Sequence, residues 1–281
     1  MTGHKSKLEE FVRYDNNMPF NEIIIHQKDY TTFTLEEIAI DNTLGEKIIF
    51  YVLKPKSNEK KPGIFFAHWL ETEAENSNKE EFLPSAIKLA EQGYYSILPD
   101  LYWSTDPETF KKNPKLWWKT EFEHDKELNK KQLIEILRSL DYFLTLENID
   151  KGRLAYVGHD FGGMFGSLIT SLRNIFKTYV FMAGTTKFAN WYQFGSKKNS
   201  EELIKYYQQM ELFDPINHIG NAFPASLLLQ FADNDFYVPK EVAKEYFEAA
   251  KEPKELRWYS ARHAMNNQTF LDMEDWIKKI I

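Results

Sequence analysis

Short continuous apolar runs alternate with segments of helical hydrophobic spacing along most of this chain. Gly63-Ile64-Phe65-Phe66-Ala67, Tyr94 to Leu98, Leu154 to Val157, Tyr179 to Met182, Leu227 to Phe231 and Arg257 to Tyr259 are too short for helices. They read as strands, and Gly63 to Ala67, a continuous apolar run, reads as one buried on both faces. Among them lie Glu80 to Gln92, Leu133 to Leu146, Phe165 to Phe176, Lys240 to Lys251 and Thr269 to Ile281, which read as helices. In the second of these Leu133, Ile136, Leu137, Leu140, Phe143 and Leu144 share one face. Gly93 is a helix stop. Thr31 to Ile40 and Lys47 to Leu53 alternate on either side of Asp41-Asn42-Thr43-Leu44-Gly45 and read as a hairpin. Strands alternating with helices imply right-handed crossovers and a mostly parallel sheet covered on both faces, an α/β fold. On such a sheet ligands sit beyond the carboxyl ends of the strands.

The 281 residues suit one large domain over residues 21–281, preceded by an N-terminal arm of residues 1–20. No internal repeat or low-complexity linker interrupts it. A net charge of −7 argues against nucleic acid as a partner and leaves a small-molecule substrate. The absence of cysteine excludes disulfides and thiol catalysis. The Asp and His residues are not at ligand spacing, so neither a metal nor another cofactor is expected. No run of about 18 apolar residues suggests a membrane span. Met1 to Asp15 lacks the apolar core of a signal peptide, which makes a cytoplasmic protein the expectation. Oligomeric state has no signature in the sequence.

The strand Leu154 to Val157 runs straight into Gly158-His159-Asp160-Phe161-Gly162-Gly163, and a helix follows. This is the strand-turn-helix context of a nucleophile elbow, in which small residues flank a reactive side chain held on a strained turn. The turn also sets Asp160 at a helix N-terminus, where free N–H groups favour an anion. A glycine-rich turn with a helix-capping aspartate is the plainer reading of the same hexapeptide.

Gly-His-Asp-x-Gly-Gly in this context resembles the elbow of epoxide hydrolases and haloalkane dehalogenases, where the nucleophile is aspartate. The layout of the rest resembles the dienelactone hydrolase branch of the α/β-hydrolase superfamily. The matching features are Lys54-Pro55 to His68, Glu81-Phe82-Leu83, Leu98-Pro99-Asp100 and Asp235-Phe236-Tyr237-Val238-Pro239. The resemblance spans roughly residues 45 to 281 and implies an α/β-hydrolase fold.

It also implies an acid and then a histidine after the nucleophile in chain order. Asp235 fits the acid by its spacing to Val238-Pro239, ahead of its neighbour Asp233. His263, in Ala261-Arg262-His263-Ala264, alone of the 7 histidines follows that acid. The loop Ala67-His68-Trp69-Leu70 and the residue after the nucleophile are expected to supply two oxyanion-hole N–H groups, those of Trp69 and Phe161. The loop lacks the His-Gly-x-Pro pattern of epoxide hydrolases, and Phe161 stands where dehalogenases often carry a halide-binding tryptophan. His68 and His159 flank the centre and read as shaping backbone there. His68, Trp103, Trp191 and Tyr192 are placed at the substrate pocket, with Trp117 and Trp118 as further aromatics and Tyr102, Tyr192 and Tyr237 as candidate phenol donors. Residues 185 to 223 form a short cap-like insertion between two strands.

An aspartate carboxylate is nucleophilic without a base, its ordinary pKa being about 3.9. Attack on an sp³ carbon bearing a halide or epoxide oxygen gives an alkyl-enzyme ester, whereas attack on an ester carbonyl gives a high-energy anhydride. The first reading is therefore a hydrolase in which Asp160 attacks carbon and His263, oriented by Asp235, activates water. The second is a dienelactone-hydrolase-like esterase with an atypical aspartate acting as nucleophile or direct base. The third is a catalytically silent hydrolase fold that binds a small ligand, which would have no need of His263 and Asp235.

Overall fold

Apolar runs with no wet face have to be covered on both sides, and the inner strands of this chain are. The structure, a computed structural model, describes residues 2–71, 77–101, 119, 121–194 and 196–281. Nine strands form one sheet among the described residues. They are β1 (Ile23–Asp29), β2 (Phe33–Asp41), β3 (Lys47–Pro55), β4 (Lys61–Ala67), β5 (Tyr95–Pro99), β6 (Ile149–His159), β7 (Thr178–Met182), β8 (Ser226–Ala232) and β9 (Lys254–Tyr259). Their spatial order is β1-β2-β3-β5-β4-β6-β7-β8-β9. The first three pair antiparallel, as does β3 with β5. From β5 through β4 to β9 every pairing is parallel, so these strands all end at one edge.

Successive residues of the inner strands enter opposite cores, as the pleat requires. Phe65, Tyr156, Phe181 and Leu229 pack on one face. Ile64, Phe66, Val157, Met182 and Leu228 pack on the other. The first core is closed by α3 (Phe122–Phe143) and α4 (Phe161–Leu172), the second by α2 (Leu83–Glu91) and α8 (Asn267–Ile280). Two residues past the end of α2 stands Gly93, whose φ of +92 is open to glycine at no steric cost.

Four features depart from the sequence reading. Residues 1–20 contain α1 (Thr2–Phe11), with Leu8 and Val12 buried in the first core and Phe11 edge-on to Phe213, so this part of the chain is not a loose arm. Strand β1 gives no sequence signal because it lies at the sheet edge with every residue exposed. Helix α3 begins eleven residues before Leu133. Its early turns bury Asp125 and Asn129, which hydrophobic spacing cannot register, and these bond Tyr206 and Tyr192. Helix α4 begins at Phe161, so Gly162 and Gly163 lie in its first turn.

Between β7 and β8 lie α5 (Phe188–Tyr192), α6 (Ser200–Met210) and three short 3-10 turns; α7 (Lys240–Ala249) follows β8. Tyr102, Trp103, Trp117 and Trp118, proposed for the pocket, lie outside the described residues. Among the described residues no helix is long and apolar enough to cross a membrane.

Candidate active site

At the carboxyl end of β6 the chain turns sharply into α4. A Cβ on Gly158 would lie 2.3 Å from the Gly162 carbonyl oxygen, and one on Gly162 would lie 1.9 Å from that of Ala67. The end of β6, the start of α4 and the end of β4 thus touch backbone to backbone, which requires both glycines. Asp160, between them, has φ 49 and ψ −113. A non-glycine residue held there costs on the order of 1–3 kcal/mol, which the packed elbow sustains. Its side chain makes no helix-capping bond, so the helix-cap reading of this aspartate does not hold.

The Asp160 carboxylate is buried and divided between two tasks. Oδ1 faces His263 Nε2 at 3.7 Å. Oδ2 accepts the Leu70 N–H at 3.4 Å. His263 Nδ1 bonds Asp235 Oδ2 at 2.8 Å. Asp235 Oδ1 in turn accepts the N–H groups of Tyr237 and Val238 at 2.8 and 3.1 Å. Asp160, Asp235 and His263 therefore meet at the ends of β6, β8 and β9.

Burial alone would lower the His263 pKa, but the hydrogen bond to Asp235 and the nearby charges of Asp160, 3.7 Å away, and Asp235 outweigh it and raise it to about 10. Burial pushes Asp235 up, yet His263 and the two loop N–H groups hold it below the usual 3.8. Asp233 is exposed, and its Oδ1 pairs with Lys240 at 2.6 Å instead. Asp235→Ala is expected to lower turnover by roughly 10²-fold or more, and Asp233→Ala to change it little. Steady-state rates that rank the two variants the other way would remove Asp235 from the acid role.

Three expected placements need correction. The Trp69 N–H does not face Asp160; it donates to Glu81 Oε2 at 2.8 Å, and the next peptide, that of Leu70, turns its N–H to the carboxylate. His68 is buried rather than at the pocket, with Nδ1 bonded to the Trp69 carbonyl at 2.6 Å and Nε2 accepting the Leu101 N–H at 3.1 Å. Burial lowers its pKa to about 3, so it is a neutral structural histidine. Tyr192 is fully buried and donates to Asn129 Oδ1 at 2.5 Å, away from the cavity. Trp191 does line the cavity, 5.6 Å from the His263 ring and stacked on Tyr237 at 4.8 Å. Phe161 opens α4 directly after Asp160, with its ring packed on Trp191 and Tyr192.

The cavity measures about 720 Å³ and is walled by Trp69, Leu70, Trp191, Tyr237 and His263. Phe194, Phe236, Glu71 and Arg262 stand around it as well. Sequence reasoning missed Leu70 and Glu81. Among the described residues no group of three or more His, Asp or Glu side chains could hold a metal ion.

A mostly parallel sheet carrying an elbow, then an aspartate and a histidine, at strand ends along one edge is an α/β-hydrolase fold. Within it the chain belongs to the dienelactone hydrolase family, whose model matches residues 48–272, and is a hydrolase of that family. Similar solved structures include an acetyl xylan esterase from Paenibacillus sp. R4, at 14% identity and a TM-score of 0.72 over 99% of this chain and 93% of that one. Acetyl xylan esterase 1 from Thermoanaerobacterium sp. JW/SL YS485 is similar at 12% identity and 0.72, over 99% and 92%. An acylaminoacyl peptidase from Pyrococcus horikoshii matches at 16% identity and 0.67, over 90% of this chain and 44% of that one. At these identities the likeness is one of fold. No curated protein sequence matches the chain.

Proposed function

We propose that this hydrolase forms an alkyl ester on Asp160 from a substrate with an electrophilic sp³ carbon, an epoxide or a carbon–halogen bond. The observation that carries this reading is the split of the Asp160 carboxylate between Leu70 and His263. A serine has one oxygen and leaves the backbone donors to the substrate carbonyl. Here a carboxylate oxygen already occupies the Leu70 donor, so an incoming carbonyl would have to displace it. An ester formed through Oδ1 keeps Oδ2 as its carbonyl oxygen, on the donor that stabilises the oxyanion when water attacks.

In the first step Oδ1 bonds to the substrate carbon, and the carbon–halogen or carbon–oxygen bond breaks with its electron pair on the leaving atom, which departs as halide ion or, for an epoxide, stays as an alkoxide that takes a proton from solvent. In the second, water adds to Asp160 Cγ as His263 Nε2 takes its proton. Asp235 holds the other imidazole nitrogen. Collapse of the tetrahedral intermediate expels the alcohol, which receives that proton, and leaves the Asp160 carboxylic acid, whose own proton passes to solvent to restore the carboxylate. Leu70 and Phe161 are the proposed backbone donors. These steps use side chains and backbone alone, with a small molecule as the only partner. The segment of residues 185–223 contributes Trp191 as a short cap.

Phe194 and Phe236 are 63% and 77% exposed beside the Trp191–Tyr237 stack. Exposed aromatic clusters at a cavity mouth favour an apolar or aryl substituent. A panel of aryl and short-chain epoxides, alkyl halides and nitrophenyl esters tests the reading. Turnover of an epoxide or halide is expected, faster for aryl members. Turnover confined to esters would put the esterase reading, which family membership supports, in its place.

A further inference from the structure

Glu81 lies between a 3-10 turn (Asn78–Glu80) and α2, and takes no part in the steps above. Its side chain is only 8% exposed. Oε2 accepts the Trp69 N–H at 2.8 Å, and Oε1 is hydrogen-bonded to His159 Nδ1. The other His159 nitrogen, Nε2, donates to the His263 carbonyl oxygen at 2.9 Å. Both ring nitrogens of His159 are thus engaged within the fold. Its ring lies flat on the Trp69 indole, 5.0 Å between centroids and 8° from parallel. One carboxylate and one imidazole thus join the turn after β4, the elbow and the loop after β9.

We propose that Glu81, acting through His159, is a positioning residue that holds the Leu70 N–H and His263 in register with Asp160. The reason is geometric. Fixing the Trp69 N–H on Glu81 leaves the following peptide plane to face Asp160, where the Leu70 N–H meets Oδ2. Fixing the His263 carbonyl on His159 sets that residue's backbone, while Asp235 sets its ring. Two groups needed in the same step are thereby placed from one point. Misplacement of reacting groups by about 1 Å costs roughly 10²-fold in rate, so such a tie is worth having.

This inference builds on the reading of Asp160 as nucleophile, and its test has one readout that needs no turnover. Glu81→Leu keeps similar bulk and removes both bonds. With folded protein counted by circular dichroism, it is expected to lower kcat roughly 10²-fold with KM changed far less. Glu81→Gln recovers most of that loss, since its oxygen accepts from Trp69 and its amide donates to His159 Nδ1. The second readout is the proton NMR signal of the His263 Nδ1–H bonded to Asp235, which broadens or shifts in Glu81→Leu although both partners remain. If Glu81→Leu does not fold, His159→Phe preserves the stack on Trp69 and cuts the tie to His263, with the same two effects expected. Folded variants with unchanged kcat and an unchanged His263 signal overturn the proposal. A protein inert on every substrate whose His263 signal still responds would count against the Asp160 reading and leave the tie standing.

Discussion

Given an epoxide or alkyl halide that the unmutated protein turns over, His263→Gln accumulates a covalent adduct on Asp160. Product release falls roughly 10²- to 10⁴-fold, the usual contribution of a general base. Carboxylate attack on carbon requires no proton transfer, so the first step survives the loss of the imidazole. Attack of water on the resulting ester does require a base, and His263 Nε2 is the ring nitrogen facing the carboxylate, 3.7 Å from Oδ1. Mass spectrometry should place the added mass on a peptide spanning residues 158–163. A serine-type mechanism gives the opposite outcome, because its histidine acts before the first covalent bond forms. No adduct, on a substrate that the unmutated protein hydrolyses, would dispose of the aspartyl ester.

What the sequence made legible follows from how locally each feature is determined. β4, β7 and β8 could be read because both faces of each are buried, which leaves an uninterrupted apolar run. β1 could not, having no buried residue, and the first turns of α3 could not, since they bury polar side chains that bond across the fold. Asp160 and its flanking glycines were legible because the elbow is a contact within six residues. Asp235 was legible because its own loop, through the N–H groups of Tyr237 and Val238, holds the carboxylate. The donor after β4 is a different case. Whether Trp69 or Leu70 faces the site depends on Glu81, twelve residues further along the chain. Trp191 and Tyr192 show the same limit at closer range. They are adjacent on one helical turn, about 100° apart, so one meets the cavity and the other the core.

Asp160→Asn abolishes turnover and lowers the pKa of His263. The first effect follows from removing the proposed nucleophile. The second bears on when the histidine can act. With Asp160 and Asp235 both beside it, the His263 pKa is pushed up to about 10, which favours the imidazolium in the neutral range and opposes proton transfer from water. Esterification of Asp160 replaces a carboxylate by a neutral group at the same position. The imidazolium then loses one of its two stabilising charges, gives up its proton to solvent, and becomes a base only once there is an ester to hydrolyse. Asparagine imitates that neutral side chain. NMR titration of the His263 ring should therefore find its midpoint about 1–3 pH units lower in Asp160→Asn, as expected for loss of an opposite charge within reach. Stability supplies an independent reading. A histidine whose folded pKa is raised stabilises the fold fully below its unfolded value of about 6.5, and the benefit disappears as pH rises through the folded value. In the unmutated protein that loss extends to about 10. In Asp160→Asn it ends at a lower pH, so denaturation curves across this window should flatten earlier. An unchanged titration midpoint would mean that Asp160 is not sensed at 3.7 Å, and the histidine would need some other means of shedding its proton before water attacks.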